Sequence, residues 1–281
     1  MKLSLSVRVI ESVCKTRLAF AFEDFLEIAR NNGYAAVCMR ASAAGIDTTP
    51  QRLREIRRLV EQSGLSVSMV TADFDVPLNN PQGPSSLRRI EPSLDVAQEL
   101  GCDLLRVCLK VEEDISAARA AAEIAARRGV RLVHQCHTAT LFEEVQGMLD
   151  VLRRIDHPNF GLIYEPANLL LCGQSYGAAT LRALRPYLWN VYLQNHRLDP
   201  AGPVSLPTYC RGEVRFQHLD LWSMDGIDWP SVVHGLDEVG YHGFVTIHQA
   251  QGIETTEAAG QFARRCAEFL RSLEPPSQPI R

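Results

Sequence analysis

The 281-residue chain has no apolar run long enough to span a bilayer, so it does not read as a membrane protein. It also has no clustered basic run, and its formal net charge is −4. Nucleic acids and anionic membrane surfaces are bound through clustered Lys and Arg, so neither is expected as a partner. None of the eight cysteines (Cys14, Cys38, Cys102, Cys108, Cys136, Cys172, Cys210 and Cys266) forms a Cys-x-x-Cys pair. Most of them sit inside apolar stretches such as Val37-Cys38-Met39, and they read as buried free thiols of a reducing compartment. Met1-Lys2-Leu3 opens like a secretory leader, but Arg8, Glu11, Lys15 and Arg17 interrupt any apolar core. A cytoplasmic location is therefore expected. No glycine-rich phosphate loop follows the first apolar run, which argues against a dinucleotide-binding fold.

What the chain does have is an alternation of short apolar runs with amphipathic stretches. Strands are expected at 3–9, 34–40, 65–71, 104–109, 130–136, 160–164, 191–194 and 244–248. The helices that follow them are expected at 22–31, 50–63, 85–100, 112–128, 140–155, 176–185, 229–239 and 257–273. Thr48-Thr49 supplies a cap and Pro50 a first helical position. Gly33, Gly64, Gly101, Gly129 and Gly240 each stand where a helix ends just before a strand, the place for a left-handed cap. Eight strand–helix pairs in one chain of this length predict a single α/β domain, a (β/α)8 TIM barrel over residues 1–273. Residues 274–281 read as a flexible tail. Two connections are long, 72–84 after the third strand and 195–228 after the seventh, and long βα loops in a barrel cover its site.

The strand ends are polar. They carry Arg40, Arg106, Lys110, the run His134-Gln135-Cys136-His137, Glu165 with Asn168, the run Tyr192 to His196, and His248-Gln249. Ending an apolar strand in carboxylates, amides and imidazoles is unfavourable unless those groups meet a ligand or one another. Strand alternation puts Gln135 and His137 on one face, Glu165 with Ile163, Tyr192 with Gln194, and His248 with Thr246. If these faces point inward, Gln135, Glu165, Gln194 and His248 meet at the mouth, and His134 faces the helices. Arg106 has two readings, a substrate anchor or an interior ion pair with Asp73 or Glu165.

Several of these segments resemble those of the xylose isomerase-like barrels, the sugar phosphate isomerase/epimerase and AP endonuclease family 2-like proteins. The segments are Gly129 to His137, Phe160 to Asn168, Val191 to Asn195, Gly226 to Trp229 and Gly240 to His248, and the likeness runs from Glu23 to Leu273. The resemblance implies a barrel with a divalent ion held by Glu, Asp, His and Glu at the ends of strands five to eight. This chain has Gln135, Glu165, Tyr192 and His248 there. Hard ions favour carboxylates, so attraction for Mg2+ or Mn2+ is reduced, while Gln135, Glu165, His248 and His196 form a candidate set for Zn2+.

The resemblance implies proton transfer next to a sugar carbonyl, with Glu165 and His248 as the acid and base. An imidazole suits that shuttle unless it is buried. Arg40, Arg106, Lys110, His137, Asn168, Tyr192, Gln194 and His218 are candidate contacts for a small carbohydrate-like substrate. Arg40, Arg106 and Lys110 are suited to stabilise an enediolate or bind a carboxylate or phosphate. Trp222, Trp229 and Phe74 are candidates for stacking on a sugar face. The expected activity is a sugar or sugar-acid isomerase or epimerase. A lyase, dehydratase or decarboxylase on a keto-sugar acid and a non-catalytic carbohydrate-binding barrel are the alternatives. The family often pairs barrels, so a homo-oligomer is compatible with the sequence.

Overall fold

A computed structural model describes residues 1–249 and 252–274. Eight parallel strands close into a barrel. In chain order they are β1 (Lys2–Ser6), β2 (Ala36–Arg40), β3 (Ser66–Thr71), β4 (Leu104–Val107), β5 (Arg131–Gln135), β6 (Phe160–Tyr164), β7 (Leu188–Leu193) and, after three short strands in an insertion, β11 (Phe244–Ile247). β1 pairs with both β2 and β11, which closes the ring. Strands such as β2 and β6 are buried along their whole length. This is why they read as continuous apolar runs rather than alternating ones.

The outer layer contains α1 (Phe22–Asn31), α2 (Pro50–Gln62), α3 (Ser85–Arg88), α4 (Glu91–Glu99), α5 (Asp114–Arg127), α6 (Val145–Ile155), α7 (Pro166–Leu171), α8 (Ala178–Leu184), α9 (Trp229–Glu238) and α10 (Thr256–Ser272). Thr49 caps α2 by accepting from the Arg52 N–H, with Pro50 at its first position. The five cap glycines all have left-handed φ, between +60° and +74°.

Four sequence expectations change. The first strand stops at Ser6, and Val7–Ile10 form a 3-10 turn that aims Arg8 and Glu11 across the mouth. The helix expected over 85–100 is broken at Arg89, whose φ of −138° and ψ of 65° lie outside the helical region, ahead of Pro92. An unexpected helix, α7, starts one residue beyond Glu165 because Pro166 occupies its first turn. The connection 195–228 carries an antiparallel sheet, β8 (His196–Leu198), β9 (Val204–Thr208) and β10 (Gly212–His218), in the order β8-β10-β9. Its Val214 and Phe216 form a small separate core with Leu171 of α7. Asn195 ties this flap down by donating to the carbonyls of Asp220 and Ser223 and accepting from the Ile227 N–H. Residues 275–281 of the expected tail lie outside the described residues. No helix among the described residues is long and apolar enough to cross a membrane.

Candidate active site

Parallel strands in a closed barrel all deliver their C-terminal ends to one rim, so side chains there converge whatever their spacing in sequence. The register fixes which ones do so. Arg40 lies beside Thr71, Arg106 beside Val133, and Gln135 beside Ile163. Alternation then turns Arg40, Thr71, Arg106, Gln135 and Glu165 inward.

On the β5–β6–β7 side the centre is Glu165, which is fully buried. Its Oε2 accepts from Gln135 Nε2 and, at 2.6 Å, from Asn168 Nδ2, while Oε1 accepts from Gln194 Nε2. Three neutral amides thus hold one carboxylate. Burial raises the pKa of Glu165 to about 7, against the opposing pull of these amides and of Arg106. A carboxyl poised there exchanges protons near neutral pH.

On the β1–β2–β4–β11 side the groups are cationic. Arg40 Nε donates to Glu11 Oε1 at 2.8 Å, and Ser42 Oγ donates to the same oxygen at 2.6 Å. Arg8 reaches the other Glu11 oxygen at 3.4 Å. Arg106 is buried and forms no salt bridge among the described residues, so the interior ion pair with Asp73 or Glu165 is not made. Burial pushes the Lys15 ammonium down to about 8, helped by Arg8 and Arg40. Glu11, Arg8 and Lys15 are the site residues that sequence reading missed. The only signal was a basic residue and an acidic one three apart inside an apolar stretch.

His248 belongs to this cationic side. Its ring stacks on Tyr192, with centroids 3.8 Å apart and planes at 8°. Its Nδ1 lies 3.1 Å from Ser6 Oγ and its Nε2 3.5 Å from Arg40 Nη1. Burial and then Arg40 and Arg106 hold its pKa well below the ordinary histidine value, so it is a neutral imidazole. The condition on the proton-shuttle reading, that the ring not be buried, therefore fails. Tyr192 donates or accepts at Cys38 Sγ, 3.2 Å away.

Other candidates fall elsewhere. His134 faces outward and stacks on Phe142 at 4.2 Å, as the alternation required. His137 Nδ1 engages the Thr138 carbonyl at 2.9 Å. Lys110 Nζ bridges Asn79 Oδ1 and the Ala139 carbonyl, tying two βα loops together. His196 sits in the flap, 3.2 Å from the exposed His218 and packed on Phe216. Trp229 is fully buried, and Trp222 lies under the Arg265 guanidinium at 3.7 Å, on α10. Neither stacks on a ligand at the mouth.

Five buried side-chain polar atoms lack a hydrogen-bond partner among the described residues: Arg40 Nη2, Thr71 Oγ1, Arg106 Nε, Gln135 Oε1 and Trp229 Nε1. Arg40, Thr71 and Gln135 end β2, β3 and β5, and Arg106 is one residue short of the end of β4. One step down the barrel, equivalent polar groups are paired, Ser4 with Ser68 at 2.7 Å and Thr246 with Asn190 at 3.1 Å. Unpaired buried polar atoms are rare and unfavourable, and four of the five are grouped at this rim.

Comparison with known proteins gives a consistent picture. A 3-dehydroshikimate dehydratase from Pseudomonas aeruginosa is 32% identical over 143 residues, which is 46% of this chain and 22% of that one. The chain thus spans less than a quarter of that relative's length. A probable 3-DHS dehydratase from Bacillus anthracis superposes with a TM-score of 0.70 at 15% identity, covering 96% of this chain and 99% of that one. A D-psicose 3-epimerase from Clostridium cellulolyticum H10 gives a TM-score of 0.67 at 14% identity, covering 97% and 99%. The family profile described as xylose isomerase-like TIM barrel matches residues 26–272, and the chain belongs to that family.

Proposed function

We propose that the barrel mouth binds a small hydroxylated keto acid, and that Glu165 removes the proton next to its carbonyl with loss of water as the outcome. The observation that carries this reading is the set of orphaned atoms at the rim. Arg40 Nη2 and Arg106 Nε are donors that match a carboxylate or an enolate oxygen, and Gln135 Oε1 is an acceptor that matches a hydroxyl. Arg8, Lys15, Arg40 and Arg106 outnumber the two mouth carboxylates, Glu11 and Glu165. A neutral sugar would leave that charge uncompensated, whereas an anionic substrate relieves it.

The chemistry needs one base. Glu165, held by its three amides, takes the proton from the carbon beside the carbonyl. The electron pair moves onto the carbonyl oxygen, where Arg106 offsets the charge. As the carbonyl re-forms, the neighbouring C–O bond breaks, and the proton on Glu165 leaves with the hydroxyl as water. Returning the proton to the opposite face of the same carbon would give the epimerase outcome, but that needs a second proton-carrying group on that face. His248, neutral and held between Tyr192, Ser6 and Arg40, does not supply one. The partial identity to a 3-dehydroshikimate dehydratase supports the elimination reading.

The donor set does not fit the divalent ion that the family resemblance implied. Glu165 is the one carboxylate among Gln135, Glu165, His248 and His196, and amide N–H groups already occupy both its oxygens. The Arg40 guanidinium faces the lone pair of His248 Nε2. Hard cations require several oxygen anions, and the neighbouring guanidiniums repel them.

The test is to incubate chelator-treated protein with 3-dehydroshikimate and related hydroxylated keto acids, and with neutral ketoses, following product mass. Dehydration of an acid that persists after chelation supports the proposal. A mass-neutral product from a neutral ketose, or no turnover of any acid, overturns it.

A further inference from the structure

Outside the mouth, Glu143, Cys172 and Cys210 bring one carboxylate oxygen and two sulfurs within 4.8 Å of one another. They come from three separate segments. Glu143 lies in the loop between β5 and α6, Cys172 ends α7, and Cys210 sits in the tight turn joining β9 to β10. No other set of three or more His, Cys, Asp or Glu side chains among the described residues is grouped this closely.

We propose that Glu143, Cys172 and Cys210 form a binding site for a thiophilic divalent cation of the Zn2+ class, which fastens the antiparallel flap to the barrel. The spacing suits a tetrahedral ion, whose bonds of about 2.0–2.3 Å to oxygen and sulfur place its ligands roughly 3.3–3.8 Å apart. Two thiolates and one carboxylate leave the fourth position to water.

Glu143 is already oriented for this. Its Oε1 accepts from the backbone N–H groups of Ala139 and Tyr209, at 2.5 and 2.8 Å, and its Oε2 accepts from that of Cys210 at 2.8 Å. These donors take three of about four lone-pair sites, and the Cys210 thiol is within hydrogen-bond reach of the same carboxylate. Such backbone donors are the supporting shell that fixes a ligating carboxylate.

The two thiols hydrogen-bond to each other. Cys210 Sγ lies 3.7 Å from the Cys172 carbonyl and within hydrogen-bond reach of the Thr208, Glu143 and Cys172 side chains, contacts that bonds to an ion would replace. Cys172 is buried while Cys210 is exposed, so an ion has a route in from solvent. Arg211, bound to the Leu171 carbonyl at 3.1 Å, lies beside the cluster and offsets the net negative charge of a two-thiolate, one-carboxylate site. The flap that such an ion anchors carries His196 and His218, so occupancy would set how firmly this sheet is held to the barrel.

The test uses the full chain, reduced and stripped of metal, titrated with Zn2+ alone and separately with Co2+. Wild type and Glu165→Gln should each bind one equivalent of Zn2+. With Co2+ both should show thiolate charge-transfer absorption, and Zn2+ should slow proteolytic cleavage within 195–228. Cys210→Ser, a surface change checked for folding by circular dichroism, should bind at least ~100-fold more weakly and lose the absorption. No Zn2+ uptake by reduced wild type, undiminished uptake by Cys210→Ser, or uptake abolished by Glu165→Gln would each overturn the proposal. The last result would place the ion at the mouth.

Discussion

The two sides of the barrel mouth solve the same problem differently. On the β5–β6–β7 side a buried carboxylate is surrounded by neutral amides that spend their N–H groups on it. On the β1–β2–β4–β11 side buried guanidiniums share one carboxylate, Glu11, and leave Arg40 Nη2 and Arg106 Nε without partners. A satisfied charge is held in place and tuned, whereas an unsatisfied one attracts a ligand. On the proposed function, the amide-held side is the catalytic base and the guanidinium side the anion receptor.

The comparison breaks most sharply at Glu165. Glu165→Gln should lower kcat by roughly 10²–10⁴-fold, because the chain would lose its one base, while the circular dichroism spectrum is kept. Turnover within tenfold of wild type would remove Glu165 from the chemistry.

Arg106→Met comes next. It should raise KM for an anionic substrate by about 10- to 100-fold, the loss expected for a charge-assisted hydrogen bond. It should leave stability unchanged or raised, since an unpaired buried cation is removed. It should also move the acid limb of the rate profile to higher pH, because Arg106 lowers the pKa of Glu165. An unchanged KM would end the receptor reading.

The pH dependence separates the groups by sign. The rate should rise with pH through about 7 as Glu165 deprotonates. A raised carboxyl pKa contributes stability that is complete below the ordinary value of 4.5 and lost as pH rises through about 7, about 3 kcal/mol in all. Burial lowers His134, His137 and His196 to about 3, so their contribution is present above 6.5 and is lost as pH falls toward 3. Three groups outweigh one, and the melting temperature should fall below pH 6.5. The stability of Glu165→Gln relative to wild type should improve between pH 4.5 and 7, and a flat difference would contradict the raised pKa.

The smallest effect is expected at Tyr192→Phe. Removing a hydroxyl whose contact is Cys38 Sγ, while keeping the ring under His248, should change kcat and KM by less than about threefold and stability by about 1 kcal/mol. A large KM effect would instead make the hydroxyl a substrate contact.

The barrel was legible in the sequence because its determinants are local. Apolar runs, the Thr49 and Pro50 start signal and the five glycine stops act within a few residues of where they stand. The period of two placed Gln135, Glu165 and Gln194 on inward faces and His134 on the outward one, and the structure has them there. What the sequence could not supply depends on distance in space. The turn after β1 carries Arg8 and Glu11 beside Arg40, residues about 30 positions apart, and nothing in either segment announces the other. The role of His248 turned on burial next to two guanidiniums, a solvent effect absent from residue identity. The flap and the Glu143, Cys172 and Cys210 cluster likewise came only from the tertiary structure, because three unrelated loops had to be brought to one rim before their side chains shared an environment.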